Sequence, residues 1–163
     1  MCIRDRPKDL LAALYIPDTH LSTAAMRAAL PASVPFADAV HNVGAATLTV
    51  AALSEGRLDL LAAGTVDRLH QPYRAAAYPE LPELIEAALA AGAMGACLSG
   101  AGPTVIAFSD DVAAAATIAA AMERRAQSLR LSGRAAVQAA RGQGAYVDKP
   151  AGASSDGASL PLA

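Results

Sequence analysis

Tryptophan is absent from this 163-residue chain, aromatic residues make up only 4% of it, and it has two cysteines, Cys2 and Cys97. Two thiols cannot build a disulfide scaffold, which excludes a small secreted framework held by cross-links. Charge is also sparse, at 17%, and acids outnumber bases 15 to 13 for a formal net charge of -2. Such a chain has no broad basic field for nucleic acid or anionic lipid, and small anions are its more natural partners. No charged-then-apolar secretory leader opens the sequence. The longest apolar stretch, about Val112 to Met122, is too short and too alanine-rich for a membrane span. The expectation is a cytoplasmic protein with neither a nucleic-acid nor a membrane partner.

What is present is apolar: 54% of the residues, ample for the core of one ordinary domain. Residues 1–8 are read as a non-native leader. Met1-Cys-Ile-Arg-Asp-Arg6 continues no downstream periodicity and resembles translated sequencing-adapter text. Residues 149–163 are Gly, Ser, Ala and Pro-rich, with too few bulky side chains to offset the cost of ordering them, and a disordered tail is expected. The domain then spans 9–148.

Within it, Leu10 to Ile16 reads as a buried strand stopped by Pro17-Asp18. Ser22 or Thr23 can cap a short helix running to Leu30, before Pro31. Phe36, Val40, Val43, Thr47, Val50 and Leu53 recur at spacings of four and three, the pattern of an amphipathic helix ending at Gly56. Leu58 to His70 continues helically, with Leu61, Thr65 and Leu69 on one face, until Pro72 interrupts and a loop follows. Pro82 opens another helix that Gly92 ends. Met94 to Leu98 and Val105 to Phe108 are short strands, Asp110 begins a helix to about Ser128, and Arg134 to Ala140 is a closing strand. Several links look too short for parallel crossovers, so the expected fold is α+β, a mainly antiparallel sheet packed against helices.

The segment Leu98-Ser-Gly-Ala-Gly-Pro-Thr104 holds two glycines that permit positive φ and close backbone approach. From spacing alone, a tight hairpin or strand connection explains it without any ligand and is the favoured reading. It is not a P-loop, since no lysine follows the glycines, and not a dinucleotide fingerprint, which needs a third glycine and a helix. Arg27 and Arg74, flanked by apolar residues and prolines, could each grip a carboxylate with two parallel hydrogen bonds, or merely tie down a loop. His70 receives no role. Asp38 and Asp67 are isolated carboxylates expected at solvated helix positions, which supports no metal site. Cys97 lies in an apolar strand and reads as packed rather than reactive. No serine or threonine sits in a nucleophile-elbow pattern, so no catalytic residue is assigned.

In order and spacing, Tyr15-Ile-Pro-Asp-Thr-His-Leu-Ser-Thr-Ala-Ala-Met-Arg-Ala-Ala-Leu-Pro31, Leu69-His-Gln-Pro-Tyr-Arg74 and Gly95-Ala-Cys-Leu-Ser-Gly-Ala-Gly-Pro-Thr104 resemble homoserine kinase. That enzyme belongs to the galactokinase, homoserine kinase, mevalonate kinase and phosphomevalonate kinase (GHMP) superfamily. The resemblance covers about residues 9 to 147, the carboxyl-terminal half only. It implies transfer of the γ-phosphoryl group of ATP, with Mg2+, to the side-chain hydroxyl of L-homoserine. It also implies that Thr23 and Arg27 contact the amino acid and that Arg74 is the second substrate-binding arginine. The loop Ser99, Gly100, Ala101, Gly102, Pro103 and Thr104 would lie near the active centre and support a phosphate-binding loop of the other domain.

The chain departs from the family in lacking any Pro-x-x-x-Gly-Leu-Gly-Ser-Ser-Ala segment and any acid matching the magnesium position. ATP and Mg2+ are therefore expected to be bound mainly by a missing amino-terminal half, without which the chain is expected to be inactive. A homodimer is compatible with the resemblance. Two alternatives stay open: the same portion of another GHMP kinase acting on mevalonate or a sugar, and a non-catalytic module that binds a small amino acid for regulation.

Overall fold

The computed structural model describes residues 10–140; the expected leader and tail lie outside the described residues. The first strand, β1, is Leu11–Pro17, and α1 is Thr23–Ala28. The long helix α2, Phe36–Glu55, is followed by a 3-10 turn at Leu58–Leu60, α3 at Leu61–Gly64, α4 at Gln71–Arg74 and α5 at Leu81–Ala90. Then come β2, Gly95–Leu98; β3, Val105–Ser109; α6, Val112–Ser128; and β4, Gly133–Ala139.

All strand pairs are antiparallel, in the order β2-β3-β1-β4. The expected α+β fold with an antiparallel sheet is what forms. Strands β1 and β2 run the same way but never touch, because β3 inserts between them, giving a split β-α-β arrangement. Ala13 faces Ala107 and Tyr15 faces Val105 across the central pair. These residues also point into the main core, since alternate side chains of a strand share one face. On that face Leu81, Leu84 and Ala88 of α5 and Ile118, Met122 and Ala126 of α6 close the core. Each large side chain so buried is worth about 1.5–3 kcal/mol. Asp111 caps α6 by accepting from the Ala114 amide at 2.7 Å, one residue later than the expected start at Asp110. A smaller core, Leu10, Ala52, Leu58 and Leu61 with Met94 and Phe108 packed on it, joins α2 and α3 to the sheet.

Three expectations need correction. First, Leu58 to His70 is not one helix. Gly64 packs against Thr49, where a Cβ would lie 2.6 Å from the threonine Oγ1, and the Asp67 carboxylate takes the amides of Leu69, His70 and Gln71. A side chain that accepts from nearby amides competes with the helical ladder, and the chain turns there. Second, Pro72 does not interrupt a helix; it lies in the first turn of α4, where its missing N–H costs nothing.

Third, the regular stripe on α2 faces outward. Phe36 is 84% exposed and Val43 69%, with Val40 and Val50 also exposed, while the helix turns Ala45 and Ala52 inward. Small residues there let α2 lie close to α3. This helix is also long and apolar enough to cross a membrane by length and composition, with a mean hydropathy of 1.2 over an 18-residue window.

Candidate functional site

Arg74 is the residue that gathers the three motif segments. Although it closes a helix of a single turn, it is only 8% exposed, and its head group reaches two separate backbones. Nη1 donates to the Gly100 carbonyl at 2.8 Å, and Nε donates to the Met26 carbonyl at 3.4 Å. The guanidinium thus ties the glycine-rich loop to α1, immediately beside Arg27. Nη2 has no hydrogen-bond partner among the described residues and is not sealed from solvent, so donors remain for a ligand.

The other expected site residues are placed unequally. Ser22, rather than Thr23, caps α1, accepting from the Ala25 amide at 3.3 Å. Thr23 and Arg27 are both exposed, and Arg27 makes no hydrogen bond or ion pair among the described residues. The loop Ser99 to Thr104 closes on itself: the Ser99 amide donates to the Thr104 carbonyl at 2.8 Å and the Gly102 amide to the Ser99 carbonyl at 3.0 Å. Gly100 and Gly102 have φ of 61° and 90°, values that side-chain-bearing residues rarely adopt. Those two turns aim the Gly100 carbonyl at Arg74.

Sequence reasoning missed what supports this arrangement. Asp67, expected at a solvated helix position, has a side chain only 9% exposed and sits in the turn before α4. It accepts from Asn42 Nδ2 at 2.6 Å and from the amides of Leu69, His70 and Gln71 at 3.1, 2.9 and 2.5 Å. Burial works to raise its pKa. The bonds from Gln71, Asn42, His70 and Leu69 outweigh that and hold it below the ordinary carboxylate value. Gln71 in turn accepts from the Leu98 amide at 2.7 Å, so α4 pins the glycine loop at its entry as well as at Gly100. The available signal was an aspartate a few residues ahead of a helix-opening proline, which reads as a cap. Asp38, by contrast, is part-exposed and lies 3.5 Å from Arg68.

His70 sits between these charges. Its Nδ1 lies 3.4 Å from Arg74 Nη1 and its Nε2 3.5 Å from Asp67 Oδ1. For Nδ1 to accept from the guanidinium, the proton must sit on Nε2. Burial lowers the His70 pKa, Asp67 pulls it the other way, and Arg74 lowers it further, for a net depression. A depressed folded pKa favours the neutral ring. Its contribution to stability is therefore complete above the unfolded value of about 6.5 and is lost as pH falls through that value toward the folded one. Thermal melts should show stability falling as pH drops below about 6.5, with a flatter profile in His70→Gln. An identical fall in the variant would remove His70 from the explanation.

Cys97 is half-buried, as its strand position suggested, and burial pushes its thiol up to about 11, where it stays protonated and unreactive. It lines, with Asn42, Thr49, His70 and Gln71, a cavity of about 230 Å³. A larger cavity of about 480 Å³ is almost wholly apolar, walled by Pro72, Leu81, Ile85 and Leu89. Thr23, Arg27 and Arg74 line neither cavity; Thr23 and Arg27 are exposed, and Arg74 is buried.

Comparison with known proteins bears on the family and the fold. The family profile described as GHMP kinases C terminal matches residues 49–128. A homoserine kinase of Caldicellulosiruptor bescii is 49% identical over 105 residues, covering 64% of this chain and 34% of the relative. A homoserine kinase of Deinococcus radiodurans is 46% identical over 114 residues, covering 70% and 37%. The crystal structure of homoserine kinase from Cytophaga hutchinsonii superposes with a TM-score of 0.77 at 29% identity, over 81% of this chain and 42% of that one. The chain spans about a third of the length of the curated relatives it matches. Sequence and fold thus agree on a GHMP kinase C-terminal domain, and the relatives that match it are homoserine kinases.

Proposed function

We propose that this chain is the substrate-gripping portion of a homoserine kinase, which transfers the γ-phosphoryl group of ATP to the side-chain hydroxyl of L-homoserine to give O-phospho-L-homoserine in threonine biosynthesis. The observation that carries the reading is Arg74. It is a buried arginine that joins α1 to the glycine loop, its Nη2 has no hydrogen-bond partner among the described residues, and Arg27, also without one there, directly follows Met26, one of its anchors. Two guanidinium groups suit a carboxylate, which each can bind through parallel N–H donors. Arg27 supplies the fuller fork, because part of Arg74 is already committed to backbone carbonyls. Thr23 lies one helical turn before Arg27 and contributes a hydroxyl to the amino acid. The loop from Ser99 to Thr104 supports rather than reacts. Phosphoryl transfer rests mainly on alignment and charge neutralisation, so rigid placement of the substrate is a sufficient contribution from this domain.

ATP and Mg2+ do not fit the residues present. Among the described residues no three His, Cys, Asp or Glu side chains group as a metal site, and the glycine loop has no lysine. Both are assigned to an amino-terminal half that this chain does not contain, and the chain alone is expected to be inactive. Its working compartment is the cytoplasm, with no nucleic-acid or membrane partner.

The test is coupled ADP release with L-homoserine, mevalonate and galactose, on the chain alone and fused to the amino-terminal half of a related homoserine kinase. Activity only in the fusion and only with homoserine is expected. Arg27→Ala should raise KM for homoserine about 30- to 100-fold, the worth of charged hydrogen bonds. A folded fusion that prefers another alcohol overturns the substrate, and turnover by the chain alone overturns the division of labour. If the fusion is silent with all three while the chain binds homoserine without ATP, the regulatory-module reading replaces this one.

A further inference from the structure

We propose that the cavity at the turn between α4 and α5 binds a small aliphatic amino alcohol, whose hydroxyl oxygen accepts from Tyr78 and whose ammonium pairs with Glu80. The cavity holds about 210 Å³. Its walls come from segments far apart in the chain: Thr19 and Leu21 ahead of α1, Ala77 to Glu80 after α4, Pro103 of the glycine loop, and Leu131 beyond α6. Tyr78 carries the inference. It is 4% exposed and belongs to the main core, yet its hydroxyl is buried with no hydrogen-bond partner among the described residues. An unpaired buried hydroxyl is costly, and phenylalanine would fill the same space without that cost. Tyr15, in the same core, shows the ordinary solution, since its hydroxyl donates to the Leu131 carbonyl at 2.9 Å. Tyr78 has no such acceptor there, so its proton is left for an occupant of the cavity that the residue lines.

The lining defines the occupant. One bridging water would satisfy the hydroxyl but not the space, which equals about seven waters at their share of liquid volume. Leu21, Ala77, Pro79, Pro103 and Leu131 give most of that space apolar side chains, which suits a short aliphatic body. Glu80 is the one charged residue in the lining, and no cation joins it there, so an ammonium is matched while a carboxylate or a phosphate would meet an unpaired negative charge. Burial raises the Tyr78 pKa well above the ordinary tyrosine value, and the charges of Glu80 and Tyr15 add to the rise. The hydroxyl therefore stays protonated, a donor, with the carboxylate close enough for one small molecule to meet both. Thr23, Arg27 and Arg74 do not line this cavity, so the site is separate from the one the arginines form.

Nuclear magnetic resonance titration of the full chain with propanolamine tests this independently of the kinase reading. The methyl signals of Leu21 and Leu131 should move and saturate, while those of Val43, on the exposed face of α2, stay in place. Propylamine, which lacks the acceptor, and propanol, which lacks the ammonium, should each bind about five- to tenfold more weakly. Tyr78→Phe should bind propanolamine no better than the parent binds propylamine. Without ligand it should melt no lower than the parent, because the change removes an unpaired hydroxyl. Glu80→Gln, at a half-buried position, is the second arm and should no longer prefer propanolamine to propanol. The proposal fails if no signal saturates, or if either variant binds propanolamine as tightly as the parent. It fails too if Tyr78→Phe melts clearly lower, since the hydroxyl would then have a partner within the protein. Loss of binding in the two-domain fusion would also overturn it, because the amino-terminal half would then fill the cavity.

Discussion

Replacing Arg74 by alanine should lower the unfolding free energy by about 3 kcal/mol and the melting temperature by about 10 °C. The side chain is almost fully buried, and its guanidinium makes a short bond to the Gly100 carbonyl and a longer one to the Met26 carbonyl. Truncation leaves the first acceptor without its partner and opens space where α1, α4 and the glycine loop meet. A charged hydrogen bond contributes about 1.5–3 kcal/mol, with the long second bond and the lost packing supplying the remainder. Arg74→Lys keeps the charge, but one ammonium cannot span two carbonyls in different segments, so about half of the loss should persist.

Arg27 is the control. It directly follows the Met26 anchor of Arg74, is exposed and has no partner among the described residues, and Arg27→Ala should change stability by less than about 0.5 kcal/mol. The two arginines therefore separate two jobs: in the two-domain fusion both variants should weaken homoserine binding, but only the Arg74 variant should also melt early. Denaturant titration of the two side by side decides the matter. A stability for Arg74→Ala within 0.5 kcal/mol of the parent would falsify the anchoring role.

How far these features could be read in advance differs by element, for physical reasons. Strands β1, β3 and β4 were legible because short apolar runs bounded by proline, glycine or polar residues have few other ways to satisfy their backbones. The helix α6 was legible because alanine-rich sequence with Ile118 and Met122 one turn apart behind an aspartate has both propensity and a cap. The periodicity of α2 was just as clear, but it reports that a face wants covering, not which molecule covers it. Inside the chain that helix packs through Ala45 and Ala52, whose small side chains carry almost no periodic signal. Asp67 was misplaced for a related reason. Its partners are backbone amides only two to four residues ahead, and a reading of side-chain pattern counts none of them. The arginines were singled out by their apolar and proline flanks and by family resemblance, and neither signal distinguishes Arg74, which is buried, from Arg27, which is not.

Asp67 should prove as sensitive as the arginine it positions. In Asp67→Ala the amides of Leu69, His70 and Gln71 and the Asn42 side chain lose their shared acceptor, at an expected cost of about 4 kcal/mol. Asp67→Asn keeps one acceptor oxygen but turns an NH2 group toward donors, for about 2 kcal/mol. The loss should reach beyond the turn itself. One helical turn is too short to hold its shape unaided, and Asp67 supplies the acceptors that start α4. Because its folded pKa is depressed, the contribution of the carboxylate is complete above the unfolded value of about 4 and is lost as pH falls below it toward the folded value, so the acid limb of a stability profile should be shallower in Asp67→Asn. If Asp67 acts through Arg74, the two losses share a cause and cannot add. Stability of Asp67→Asn, Arg74→Ala and the double variant should then close a cycle with a coupling of at least about 1 kcal/mol. Strict additivity would mean that the turn stabilises the domain without holding the arginine in place.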